Sequence, residues 1–257
     1  MTPLDLAYQA MAADEDQRLQ FYERLADGEM FLLLEKEAEG ADIRPRVFPL
    51  EDGPVVLCFD LEERLAEFAG GIAPYAALPG RVIAQQLAGQ GIGLGINLGV
   101  APSGMVLPAE AVDWLAGMLE DGPEEVEAVP EAFHAPKGVP DVLLAALDAK
   151  LARAGGLASG ALLAGVTYRG GRRGHMLAFL EAGEGAQGAL ARAAREALAF
   201  SGLEAGEMDV AFLRTGEGAA AAMARVALRF DLPEPVRAEP AAPIAPGSDP
   251  AKPPKLR

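Results

Sequence analysis

The side chains able to do covalent or metal chemistry in this 257-residue chain are few: one cysteine, Cys58, two histidines, His134 and His175, and four serines, at 103, 159, 201 and 248. A hydrolase of the nucleophile–base type needs a serine or cysteine next to a histidine that a third group orients. None of the serines lies in a Gly-x-Ser-x-Gly turn, and the two histidines are 41 residues apart. No histidine pair has helical ligand spacing, and a single cysteine rules out both an intrachain disulfide and a thiolate zinc site. No lysine is preceded by glycine, so no Walker-type phosphate-binding loop is present. These absences point away from catalysis, and no cofactor or metal is expected.

Four weaker features remain. Cys58 lies within Val55-Val56-Leu57-Cys58-Phe59, where a free cysteine reads as a small buried hydrophobe. Glu62 and Glu63 follow Asp60 and Leu61, which reads as a capping box with Asp60 the acceptor at the helix start, in the favourable field of the dipole. Arg169, Arg172 and Arg173, among Gly170, Gly171 and Gly174, suit either an anion grip or a plain hairpin tip. In Ile92–Leu98 the residues alternate strictly. Ile92, Leu94, Ile96 and Leu98 face one layer, and Gly93, Gly95 and Asn97 face the other, where a helix, another backbone or a flat ligand can approach closely.

The elements that must position these groups follow from periodicity. Two short helices open the chain, the second with Leu19, Tyr22 and Ala26 on one face. Strands are expected at Met30–Leu34, Val47–Leu50 and Val55–Phe59, the last two joined through Asp52-Gly53. A helix from Glu62, a strand near 72–78, a helix over 81–88, strands at 92–98 and 105–107, and a helix opened by Pro108 follow. A second periodic region starts at Asp141, with a helix to Arg153, a hairpin over 157–180, an alanine-rich helix over 186–200, a strand at 208–213, a short helix and a last strand over 225–230.

The fold class expected is α+β: two small mixed-sheet domains with flanking helices and a disordered Pro/Ala-rich tail. The expected divisions are 1–120, an acidic proline-containing linker 121–140, a second domain 141–232, and the tail 233–257, which holds 8 of the 20 prolines. Acids outnumber bases 38 to 22, and the net charge of −16 repels phosphate backbones and anionic lipid heads, so no nucleic-acid or membrane partner is expected. The N-terminus lacks a basic and apolar leader pattern, and with the lone cysteine this gives a cytoplasmic expectation.

The order of elements, the apolar strand ending in Phe59, the acidic start Asp60-Leu61-Glu62-Glu63 and the run Gly91-Ile-Gly-Leu-Gly-Ile-Asn97-Leu-Gly99 resemble the N-terminal domain of SseB-family proteins over about 15–120. The second region is similar to the SseB C-terminal domain in element order. The family usually has threonine or serine where Asp60 stands, and Asn-Pro-Gly where Asn97-Leu98-Gly99 stands. The family is regarded as lacking a known catalytic activity, so the resemblance implies a non-enzymatic adaptor or regulatory module that binds another protein. Its expected contact surface comprises Phe59, Glu62, Glu63, Asn97 and Gly99. The alternative is a sensor of a small amino-acid-like metabolite, with strand 91–99 as a pocket wall.

Overall fold

In the computed structural model, residues 1–38, 43–120, 129–201 and 208–233 are described. The expected tail beyond 233 and residues 121–128 of the expected linker lie outside them.

The chain opens with α1 (Pro3–Ala13), a 3-10 turn at Glu15–Gln17 and α2 (Arg18–Asp27). There follow β1 (Glu29–Leu33), β2 (Val47–Leu50), β3 (Gly53–Phe59), α3 (Glu62–Ala69), β4 (Tyr75–Pro79), α4 (Gly80–Leu87), β5 (Gly93–Ile96), β6 (Met105–Leu107) and α5 (Ala109–Glu120). The sheet order is β4-β1-β3-β5-β6, with β2 also paired to β3 as the Asp-Gly hairpin predicts. β3 and β5 run parallel, so both strands end on the same side of the sheet.

All of Val55–Phe59 is buried because the sheet is covered on both faces. Val56 and Cys58 join Leu94, Ile96, Phe21, Leu25, Ile83 and Leu115 in the core beneath α2, α4 and α5. Val55, Leu57 and Phe59 pack with Leu33 and Leu65 on the opposite face, under α3. The period of two thus feeds two separate cores from one strand.

The second sheet is built from β7 (Pro130–His134), β8 (Gly160–Tyr168), β9 (Arg173–Leu180), β10 (Met208–Leu213) and β11 (Leu228–Asp231), with α6 (Asp141–Leu151), α7 (Gln187–Phe200) and α8 (Gly218–Ala224). Its order is β10-β9-β8-β11, and β7 shares with β11 the same edge of β8. β10 runs parallel to β9 through the α7 crossover, and the other pairings are antiparallel. The architecture is α+β with two mixed sheets, as the sequence led us to expect.

Three local expectations differ. The strand expected at 92–98 is only Gly93–Ile96: Asn97 turns left-handed with φ 48°, and Leu98 packs with Val55, Leu57 and Phe59 instead of beside Leu94 and Ile96. Pro130–His134, placed by sequence in the linker, is a strand: Pro130, which lacks a donor, opens an edge where no ladder bond is required of it. The capping box at Asp60 does not form. Leu61 is the N-cap of α3 without a side-chain bond, because the Asp60 carboxylate is engaged by Arg64 and Thr2. A capping box closes the start of α1 instead, where Thr2 Oγ1 accepts from Asp5 N–H and the Asp5 carboxylate accepts from Thr2 N–H.

The two sheet units meet through helices. Phe200 of α7 is part of the core under α2, α4 and α5. Next to it lies a charge network drawn from four helices. Lys150 Nζ (α6) donates to Asp27 Oδ2 (α2) at 2.9 Å and Glu196 Oε2 (α7) at 3.1 Å, and lies 3.4 Å from Glu23 Oε1. Arg81 (α4) forks onto both oxygens of Glu196 at 3.0 Å and also pairs with Asp27. Burial alone would push the Asp27 carboxyl up, but the Lys150 and Arg81 charges and hydrogen bonds hold it below the usual carboxylate range. For Glu23 burial wins over the Lys150 charge and its carboxyl is pushed up; its Oε1 makes no hydrogen bond.

Candidate functional site

Sequence singled out the corner where β3 and β5 end. In open sheets with parallel strands, the crevice beyond the carboxyl ends is a common ligand site. Here that crevice is filled from within. Asn97, in a left-handed conformation with φ 48°, accepts from Asp60 N–H through Oδ1 and donates through Nδ2 to Ser103 Oγ at 2.9 Å. Ser103 Oγ donates to Asp5 Oδ1 at 2.6 Å, and Asp5 in turn receives both Nη atoms of Arg64, at 3.1 and 2.6 Å. Arg64 also reaches Asp60 Oδ1 at 2.7 Å. Asp5, Asn97 and Ser103 have no exposed surface. Burial by itself would raise the Asp5 carboxyl, but the Arg64 and Ser103 hydrogen bonds hold it well below the usual range; the same Asp5 bond raises Arg64.

Every polar partner in this corner is already protein, so α1 acts as its plug. Of the five residues expected as a contact surface, Phe59 and Asn97 are therefore internal: Phe59 is in the core under α3 and Asn97 is locked into the network. Glu62, Glu63 and Gly99 are exposed. The glycine face of β5 is also filled. A Cβ on Gly95 would fall 2.5 Å from Leu57 Cδ2 and 2.9 Å from Leu98 Cδ1, and one on Gly93 would fall 2.6 Å from the Leu107 carbonyl oxygen. Neighbouring side chains and the β6 backbone occupy that face.

The other features resolve similarly. Cys58 is fully buried, and burial pushes its thiol far above the ordinary range, which makes it a core residue without a reactive thiolate. Arg172 lies over the Tyr168 ring, 4.1 Å from its centroid, and donates to Asp209 at 2.9 Å, while the Tyr168 hydroxyl also donates to Asp209. This arginine serves a carboxylate of the neighbouring strand β10. His134 and His175 are cross-strand partners of the same residue, Gly165, and neither is brought to a serine or cysteine by a hydrogen bond. Among the described residues, no group of three or more His, Cys, Asp or Glu side chains is placed to hold a metal ion.

The open concave surface lies elsewhere, between the two sheet units. A cleft of about 740 Å³ is lined by Glu15 to Gln20 at the start of α2, Tyr22, Ala111 and Trp114 of α5, Val142 of α6, and Phe200 and Ser201 at the end of α7. Trp114 is 41 % exposed and tilted against the Tyr22 ring, with centroids 5.1 Å apart. Phe200, buried, forms apolar floor, and Glu15, Asp16 and Arg18 form a charged rim in which Arg18 pairs with Glu15. Burial and the Arg18 charge act oppositely on the Tyr22 hydroxyl, and burial prevails, so Tyr22 stays protonated and neutral. An aromatic wall and an apolar floor beside a charged rim suit an apolar side chain with polar flanks. Nothing in the local sequence marks this cleft, because its walls come from four helices spread over residues 15–201.

Among the described residues no helix is long and apolar enough to cross a membrane. No curated protein and no solved structure matches the chain. Residues 4–114 match the family model described as the SseB protein N-terminal domain, a span that takes in α1, the first sheet, the Asp5–Asn97 corner and Trp114 and leaves the second sheet outside. Over that span the chain is similar to the SseB protein N-terminal domain.

Proposed function

We propose that the chain is a non-enzymatic, cytoplasmic binding module that docks a segment of a partner protein in the cleft between α2, α5, α6 and α7. The observation that carries this reading is the exposed, ring-backed Trp114 at the mouth of a cleft floored by Phe200. Tryptophan and tyrosine in partly desolvated pockets are the residue types that dominate protein interfaces. The net charge of −16 favours a partner segment with basic residues beside its apolar anchor. The non-catalytic part of the proposal draws on the scattered nucleophiles and on the corner of β3 and β5 being closed by its own side chains.

Trp114 is the sole tryptophan, so its emission reports on the cleft alone. A partner recovered in stoichiometric amount from native lysate at moderate salt should shift that emission to the blue. Recovery should fail with Trp114→Ala and persist with Ile72→Ala, a change at a fully exposed position outside the cleft. Equal recovery by both variants would overturn the assignment. A second reading is favoured by the cleft's size, which falls within the range of small-molecule sites. An amino-acid-like metabolite held there at 100 times its Kd would add about 2.7 kcal/mol of stability, visible as a thermal shift.

A further inference from the structure

The only two histidines of the chain, distant in sequence, converge on one glycine. His134 on β7 and His175 on β9 are both directly opposite Gly165 on β8. Residues directly opposite across a sheet share a face, so both imidazoles stand on the same side, with only a glycine between them. Strands lie about 4.8 Å apart, which puts the two Cα atoms about 10 Å apart, a gap that two imidazoles leaning inward can span. His134 does lean inward. A Cβ built on Gly165 would fall 3.0 Å from both Cδ2 and Nε2 of its ring, so the ring lies over the glycine and its outer edge is directed towards β9. His175 Nε2 is 3.2 Å from the carbonyl oxygen of Lys137, three residues beyond His134. A carbonyl only accepts, so Nε2 is the donor and Nδ1 is the ring nitrogen left for a metal. A backbone carbonyl fixing one ring nitrogen so that the other can ligate is the usual outer-shell arrangement of metal-bound histidine.

We infer that His134 and His175 form a two-imidazole site for a late first-row divalent cation such as Zn²⁺, Ni²⁺ or Cu²⁺, bridging β7 and β9 across Gly165, with water completing the coordination. Imidazole selects these ions over Mg²⁺ and Ca²⁺, which prefer oxygen. Metal–nitrogen distances near 2.0–2.1 Å require a modest further approach of the two rings. Glycine at 165 leaves room for this, because a Cβ there would press on the His134 ring at 3.0–3.2 Å. With two protein ligands the site is exchangeable. It ties the edge strand β7 to the sheet and is independent of the cleft.

The test is a titration of the full chain with ZnCl₂ and, separately, NiCl₂, followed by calorimetry and by the ring proton resonances of the histidines, which are unambiguous because there are two. One equivalent should bind, and both sets of ring signals should move together. His134→Ala and His175→Ala should each weaken binding at least tenfold. Gly165→Ala, which keeps both histidines, should weaken it by a similar factor, and melting of each metal-free variant shows that the fold persists. Absence of binding at millimolar metal, movement of one histidine without the other, or unchanged affinity in either histidine variant would overturn the site.

Discussion

Replacing Lys150 by methionine removes the cation shared by two buried carboxylates, Glu23 and Glu196, and the half-buried Asp27. Lys150 is 7 % exposed, and its ammonium is 2.9 Å from Asp27, 3.1 Å from Glu196 and 3.4 Å from Glu23. Arg81 still serves Asp27 and Glu196, but among the recorded ion pairs Glu23 has Lys150 alone. Taking one partner from a buried pair costs about 3–5 kcal/mol, because the remaining charge stays desolvated. For a chain of 257 residues, at about 2–4 °C per kcal/mol, the melting temperature should fall by about 6–20 °C at pH 7. The loss should depend on pH. Without Lys150 the carboxyl pKa values rise in the folded state above their unfolded values. A carboxyl with a raised folded pKa favours the fold below the unfolded value, and that support disappears as pH rises through the folded one. The gap between Lys150→Met and the native chain should therefore be widest near neutrality and narrow towards pH 4. Urea denaturation at a series of pH values reads this directly. Replacing Glu23 by methionine in the same variant should restore part of the loss, since an apolar pair of similar volume often substitutes for a buried ion pair. A loss below about 1 kcal/mol at pH 7, or a gap that is the same at pH 4 and 7, would refute the view that this network is buried and coupled.

Asp5→Asn removes a carboxylate held well below its usual range, whose contribution is present above the unfolded value and is lost as pH falls through the folded one. Its destabilisation in urea should thus be large at pH 7 and smaller at pH 3, and an equal gap at both would count against the corner as a charged plug. Gly80→Ala should be worse than Gly95→Ala. The added methyl at position 80 would fall 1.9 Å from the Leu25 carbonyl oxygen, which the α2 backbone fixes, whereas at 95 it meets the ends of two leucines. About 3 kcal/mol or more against about 1–3 kcal/mol is expected from denaturant midpoints, and a reversed order would show that α2 and α4 separate easily.

The sequence by itself determined the elements and the faces they bury. Val55–Phe59, the shared face of Leu94 and Ile96, the stripe Leu143, Leu147, Leu151 and the core role of Cys58 were legible because burial repeats with the local period of the backbone. A sharper reading would also have noticed Thr2 and Asp5 at capping-box spacing and Lys150 on the apolar stripe of its helix. The tertiary structure decided what those faces meet. It closed the Asn97 corner with Asp5, 92 residues earlier, and put Leu57 and Leu98 where the glycines of β5 left room. It drew the cleft from four helices, and it set His134 and His175 on either side of Gly165. Spacing along a chain encodes the direction of a side chain relative to its own element. Which distant residue fills the space opposite depends on how sheets and helices stack, and no local period carries that.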